Sequence, residues 1–111
     1  MVEKLLNSNL FDAAIMGEGE ETCLELIQRW EKGEEHFFLN GALMRGKDNA
    51  VIDGGVRPFM KLKTLATPDF SGFDLTKYPR KLLPIEFARG CTAECAFCEE
   101  TKYWVSYRIK T

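Results

Sequence analysis

The chain has 111 residues, 45% of them hydrophobic and 29% charged, with a formal net charge of -2. That size and composition suit one modest globular domain, and the slightly acidic balance argues against a nucleic-acid-binding surface. No apolar run approaches a membrane span of about 20 residues, and the N-terminus lacks a secretory signal pattern, so a reducing cytoplasm is the expected compartment.

Residues 1–9 read as the end of a helix running into a strand. The apolar run 11–16, bounded by Gly17, predicts a buried strand of a parallel sheet. Over residues 20–32, Cys23, Ile27 and Trp30 recur at helical spacing, joined by Leu24 and Leu26, so one stripe is expected to face a core. Glu18, Glu20 and Glu21 crowd the helix start, where the macrodipole favours negative charge, and Gly33 stands where a left-handed C-terminal cap is common. Gly17 and Gly19 do not make a phosphate loop. A third glycine is missing, and the neighbouring carboxylates repel anions, so a tight acidic turn is the preferred reading.

Residues 35–57 carry apolar runs at 37–39, 42–45 and 50–53 around the polar turn 46–49, a β-hairpin pattern closed by Gly54 and Gly55. His36, beside Phe37, is expected to be a partly buried structural histidine. Pro58, Pro68, Pro79 and Pro84 interrupt regular structure repeatedly, marking a linker in which Phe70, Phe73 and Tyr78 are expected to anchor the chain by packing. Residues 82–89 read as a strand with Ile85 and Phe87 on one face and Glu86 and Ala88 on the other. Glu86 then either points toward the loop that follows or is an edge carboxylate in water. Gly90 permits a sharp turn out of the strand.

That loop carries Cys91, Cys95 and Cys98, a C-x3-C-x2-C triplet with no fourth cysteine nearby. Three thiolates can hold three irons of a cubane cluster and leave the fourth open to a substrate or cofactor. A structural zinc site normally takes four ligands in two pairs, and neither Cys23 nor His36 stands at a familiar spacing from the triplet, so the cluster is preferred to zinc. Three clustered cysteines cannot all pair as disulfides.

The triplet, with Phe97 just before its last cysteine, resembles the signature of the radical S-adenosylmethionine (radical SAM) enzymes. The lead-in 82–90 and the stretch from Met16 to Thr22 resemble members that carry an N-terminal cobalamin-binding domain. The resemblance covers nearly the whole chain and is most specific at the cysteines. It implies that Cys91, Cys95 and Cys98 ligate a [4Fe–4S] cluster and that Phe97 lies close to the cofactor. One electron from the cluster then splits bound S-adenosylmethionine into methionine and a 5'-deoxyadenosyl radical. No catalytic residue is assigned.

The implied fold is α/β, or α+β for an isolated fragment. Residues 1–33 are the last strand–helix unit of a doubly wound, cobalamin-binding-like domain, 34–57 a hairpin, 58–81 a linker, and 82–111 the start of an incomplete α/β barrel with its cluster loop. A complete barrel takes about 250 residues, so the chain is expected to be a piece of a larger enzyme. The family's Asp-x-His-x-x-Gly cobalamin motif is absent, so cobalamin is expected only in the parent, where it suggests methyl transfer to an unreactive carbon or phosphorus. The parent is expected to take electrons from a flavodoxin or ferredoxin and to act on a small molecule that this stretch does not specify. Trp104 and Tyr103 are expected to shield iron, and Lys102, Arg108 and Lys110 to form a solvated basic surface.

Two alternatives stand beside this reading. One is a small non-catalytic zinc or iron–sulfur, or electron-transfer, module that uses the same three cysteines plus Cys23 or an exogenous ligand. The other is an interaction domain in which the cysteines are remnants. In an isolated fragment, the hairpin and the helix from Glu20 are expected to pack on each other, and the cysteine loop to be empty or disordered.

Overall fold

A computed structural model describes residues 2–8, 10–47, 50–80 and 82–111. The second half of the expected turn, Asp48 and Asn49, and the last linker residue, Lys81, lie outside the described residues. The chain divides into two compact units, one up to Met60 and the other Lys61–Thr111.

In the first unit, α1 (Val2–Leu6) leads to β1 (Ala13–Ile15), α2 (Glu20–Glu31), β2 (Ala42–Arg45) and β3 (Val51–Asp53). The strands form one antiparallel sheet in the order β1-β2-β3, with Ala14 opposite Leu43 and Met44 opposite Ile52. The expected hairpin is therefore present as β2 and β3. β1 departs from expectation, because it pairs antiparallel with β2 rather than lying in a parallel sheet. The cause is the return path: α2 ends at a cap built on Gly33, whose amide donates to the Trp30 carbonyl at 2.9 Å while Glu34 N–H donates to Arg29 at 3.1 Å. Gly41, with φ +80°, then turns the chain so that β2 runs antiparallel beside β1, with Ala42 opposite Ile15.

β2 is the central strand, and Ala42, Leu43 and Met44 are buried. Leu26 of α2 joins Phe37, Leu39, Ala42 and Met44 in the core, with Ala13, Ile15 and Ile52 packed at its margin, so helix and hairpin do cover each other. Each large aliphatic side chain buried there contributes about 2 kcal/mol. Of the expected stripe, α2 buries Leu26 but not the rest. Thr22 and Leu26 point inward, whereas Cys23, Leu24, Ile27 and Trp30 are exposed. A sheet of three short strands covers only a narrow stripe. The next inward position is filled by Arg29, whose guanidinium lies 3.9 Å from the Phe37 ring centre and donates to Glu34 and to the Phe38 carbonyl.

Arg57 fastens the start of α2 by pairing with Glu25, approaching Glu21 at 3.9 Å and donating to the Asn40 carbonyl at 3.1 Å. Glu18 accepts the Met60 amide at 2.8 Å. The acidic turn thus serves internal bonds. His36 is exposed rather than partly buried, and its Nδ1 lies 3.2 Å from the Arg45 carbonyl. A carbonyl oxygen only accepts, so a hydrogen bond there requires the tautomer with its hydrogen on Nδ1.

In the second unit, two 3-10 turns, Leu62–Thr64 and Leu75–Lys77, precede β4 (Ala88–Arg89), α3 (Glu100–Trp104) and β5 (Arg108–Ile109). β4 and β5 form an antiparallel ribbon. The strand expected over 82–89 contracts to Ala88–Arg89, with Leu82, Ile85 and Phe87 exposed. Pro84 lacks an amide donor, and β5 supplies only two residues of ladder. In the linker, Phe70 and Phe73 meet edge to face at 5.8 Å, while Tyr78 is half exposed at 50%. The architecture is mixed helix and antiparallel sheet. No described helix is long and apolar enough to cross a membrane.

Asp74 caps the second 3-10 turn, accepting from Thr76 Oγ1 at 2.6 Å and Thr76 N–H at 3.1 Å. These bonds, the hydroxyl first, hold its carboxyl below the ordinary carboxylate value. A lowered folded-state pKa means that the cap stabilises the turn above the ordinary value and is lost as pH falls through the lower one. An NMR titration should give Asp74 a midpoint below that of an unstructured aspartate, and Thr76→Val should move that midpoint upward.

Candidate metal loop

β4 delivers the chain to Gly90, which has φ +84°, and the cysteine loop returns to the same place in β5. Ala88 pairs with Ile109 and Arg89 with Arg108, and the Lys110 amide donates to the Phe87 carbonyl at 2.8 Å. The two arms press together so closely that a Cβ on Gly90 would stand 2.4 Å from the Ser106 carbonyl oxygen. The loop therefore has a neck closed by direct backbone pairing.

Arg89 at this neck is buried, with 8% of its surface exposed. Its Nε donates to both carboxylate oxygens of Glu86 at 3.1 Å, and Nη2 donates to Oε2 at 2.9 Å. Glu86, about half exposed, is thus the ion-pair partner of Arg89. Trp104 lies with its ring centre 5.6 Å from the Arg89 guanidinium and 5.7 Å from that of Arg108, and Tyr103 meets it edge-on at 4.7 Å. Arg108 is half-buried, so it is not part of a freely solvated basic surface. Sequence reasoning missed Arg89. Its signal was a carboxylate three residues earlier and a Gly-Cys step immediately after.

All four cysteines are free thiols: Cys91 and Cys95 are exposed, Cys98 half-buried. Ala93 N–H donates to Cys91 Sγ at 3.4 Å, the kind of contact that tunes the reduction potential of a thiolate-bound cluster. Cys98 N–H donates to the Cys95 carbonyl at 3.0 Å, folding the last two cysteines into one turn. Among the described residues, no three His, Cys, Asp or Glu side chains are gathered closely enough to hold a metal ion. The structure brings the three thiols onto one closed loop without drawing them together. As a donor set they fit an iron–sulfur cluster: three soft, reachable sulfurs, one already receiving a backbone N–H. Phe97 projects from the loop at 90% exposure, and Tyr103 is half exposed.

A second concavity lies in the first unit, an open cavity of about 420 Å³ lined by Asp12, Trp30, Glu35, His36, Met44 and Arg45. Its cation is committed, since Arg45 pairs with Asp12 at 2.5 Å.

No protein-family model matches the chain, and no solved structure matches it significantly. Curated proteins do. The anaerobic magnesium-protoporphyrin IX monomethyl ester cyclase of Rubrivivax gelatinosus is 32% identical over 108 residues, which cover 89% of this chain and 19% of that protein. The enzyme of the same name from Synechocystis is 27% identical over 101 residues, 87% of this chain and 20% of that protein. An uncharacterized methyltransferase of Pyrococcus horikoshii is 28% identical over 109 residues, 89% of this chain and 23% of that protein. The likeness runs through most of the chain. The chain spans about a fifth of the length of these relatives.

Proposed function

We propose that this chain is part of a radical SAM iron–sulfur enzyme and that Cys91, Cys95 and Cys98 are its cluster ligands. The observation that carries this reading is a C-x3-C-x2-C triplet of free thiols on a single neck-closed loop, in a chain whose similarity to a cyclase and a methyltransferase extends over most of its length. When bound, a [4Fe–4S] cluster with S-adenosylmethionine supplies one-electron cleavage of the sulfonium and a 5'-deoxyadenosyl radical.

The chain's own residues contribute ligation and placement. The three thiols, as thiolates, hold the metal and commit no fourth side chain, which leaves one coordination position for a small molecule. By the same resemblance Phe97, next to Cys98, lies close to the cofactor, and the neck of β4 and β5 keeps both ends of the loop together. The finer assignment follows the same resemblance: residues 1–33 close a cobalamin-binding-like domain, 34–57 form a hairpin, 58–81 a linker, and 82–111 open a barrel. In the parent we assign cobalamin-dependent methyl transfer, electrons from a flavodoxin or ferredoxin, and a cytoplasmic location.

Anaerobic loading with iron and sulfide tests the reading. The expected result is a broad iron–thiolate absorption band and a reduced-state spectrum that changes when S-adenosylmethionine is added. Stoichiometric zinc with no cluster would instead establish the small metal module, and the absence of any metal uptake would leave the cysteines without a role.

A further inference from the structure

Arg89 is the only charged side chain buried among the described residues, and it stands two positions before the first cysteine of the loop. A buried guanidinium is costly unless it is paired, and this one is paired on two sides. Its fork reaches both oxygens of Glu86. Its guanidinium carbon lies over the ring of Trp104, 5.6 Å from the ring centre, and Trp104 is the last residue of α3, which follows the third cysteine closely. Arg89 also lies opposite Arg108 across the β4–β5 ladder. Two like charges in direct register normally repel, so the register needs compensation. Here one carboxylate and one indole ring supply it, with Trp104 near both guanidiniums. Three segments meet at this point: the approach at Glu86, the helix after the triplet, and the returning strand.

We propose that Arg89 is a positioning residue for metal capture. It acts through the loop and not by touching the metal, keeping the neck shut so that the ends of the loop are already together before any thiol binds. Closing a flexible loop has an entropic cost that a ligand must otherwise meet. The forked geometry is the active feature, because a lysine keeps the charge but presents one compact ammonium and lacks the rigid, planar set of donors that holds Glu86 through both Nε and Nη2. This inference rests on the iron–sulfur reading above.

The test compares wild type, Arg89→Met and Arg89→Lys in the full chain after anaerobic loading with iron and sulfide. Iron per chain and the rate of iron release to a chelator are measured, together with hydrogen exchange of the Lys110 amide in the metal-free chain. Arg89→Met should release iron about tenfold faster, the scale of losing an outer-shell partner, and should expose the Lys110 amide. Arg89→Lys should recover only part of the difference. Equal release from wild type and Arg89→Met overturns the proposal, as does faster release with unchanged Lys110 protection, or full recovery by lysine. Should Arg89→Met fail to fold, Glu86→Gln keeps the shape and removes the charge: faster release supports the proposal and unchanged release overturns it. A wild-type chain that loads no iron overturns the underlying reading, and this inference with it.

Discussion

Alanine at any one of Cys91, Cys95 or Cys98 should abolish stable cluster loading, while Cys23→Ala should load like wild type. Three protein thiolates are the minimum that holds a cubane with one open iron, so no spare ligand exists. Cys23 stands far before the triplet in the sequence, at no familiar ligand spacing from it. Glu94, Glu99 and Glu100 flank the triplet, but carboxylate oxygens are hard donors that suit magnesium, calcium or manganese better than an iron–sulfur core. Loss of an outer-shell partner already weakens metal sites by about 10- to 100-fold, so loss of a ligand should cost at least about 100-fold in retention. Iron per chain after desalting and the electron paramagnetic resonance of the reduced sample measure it. A single-cysteine variant that kept its cluster would show that the ligand set is wrong.

Gly54→Ala should produce the largest loss of stability in the first unit. An added Cβ would stand 1.7 Å from the Leu39 carbonyl oxygen, 2.5 Å from its carbon and 2.8 Å from the Ala42 carbonyl oxygen. These are main-chain atoms, so no rotamer change can relieve the clash. Either Leu39, 2% exposed in the core, moves with its peptide, or β3 pulls away from β2 and the bond from Gly54 N–H to the Ala42 carbonyl is lost. Ordinary overpacking costs about 1–3 kcal/mol, and a backbone collision of this depth should reach or exceed the top of that range. That is a large part of the roughly 5–15 kcal/mol that holds a small domain together. Urea denaturation followed by circular dichroism gives the value. Gly72→Ala is the control: nothing lies within 4 Å of its Cβ, and it should stay within about 0.5 kcal/mol of wild type.

Much of the local structure was legible from the residues. Turn chemistry and apolar spacing marked the β2–β3 hairpin, acidic residues and Gly33 bounded α2, and the three cysteines declared the loop. What local pattern did not carry was pairing at a distance. The run at β1 is equally suited to a parallel or an antiparallel partner, and the choice depends on where the chain returns after Gly33. The inward face of α2 was misjudged in part, for a related reason. Cys23, Ile27 and Trp30 make the more apolar stripe, yet the narrow sheet accepts Thr22 and Leu26, with Arg29 spread over Phe37. The Arg89 node was hidden because it joins residues on both sides of the loop, and β5 is too short to announce itself by alternation.

The outward side of α2 has a practical consequence. Leu24, Ile27 and Trp30 are 58%, 46% and 39% exposed on a helix that is nonetheless well formed. Such an oily side takes up environment-sensitive dyes and adheres to phenyl resins without any unfolding. Dye-based melting curves of this polypeptide would therefore begin from a bright baseline, and thermal behaviour is better followed by circular dichroism or calorimetry.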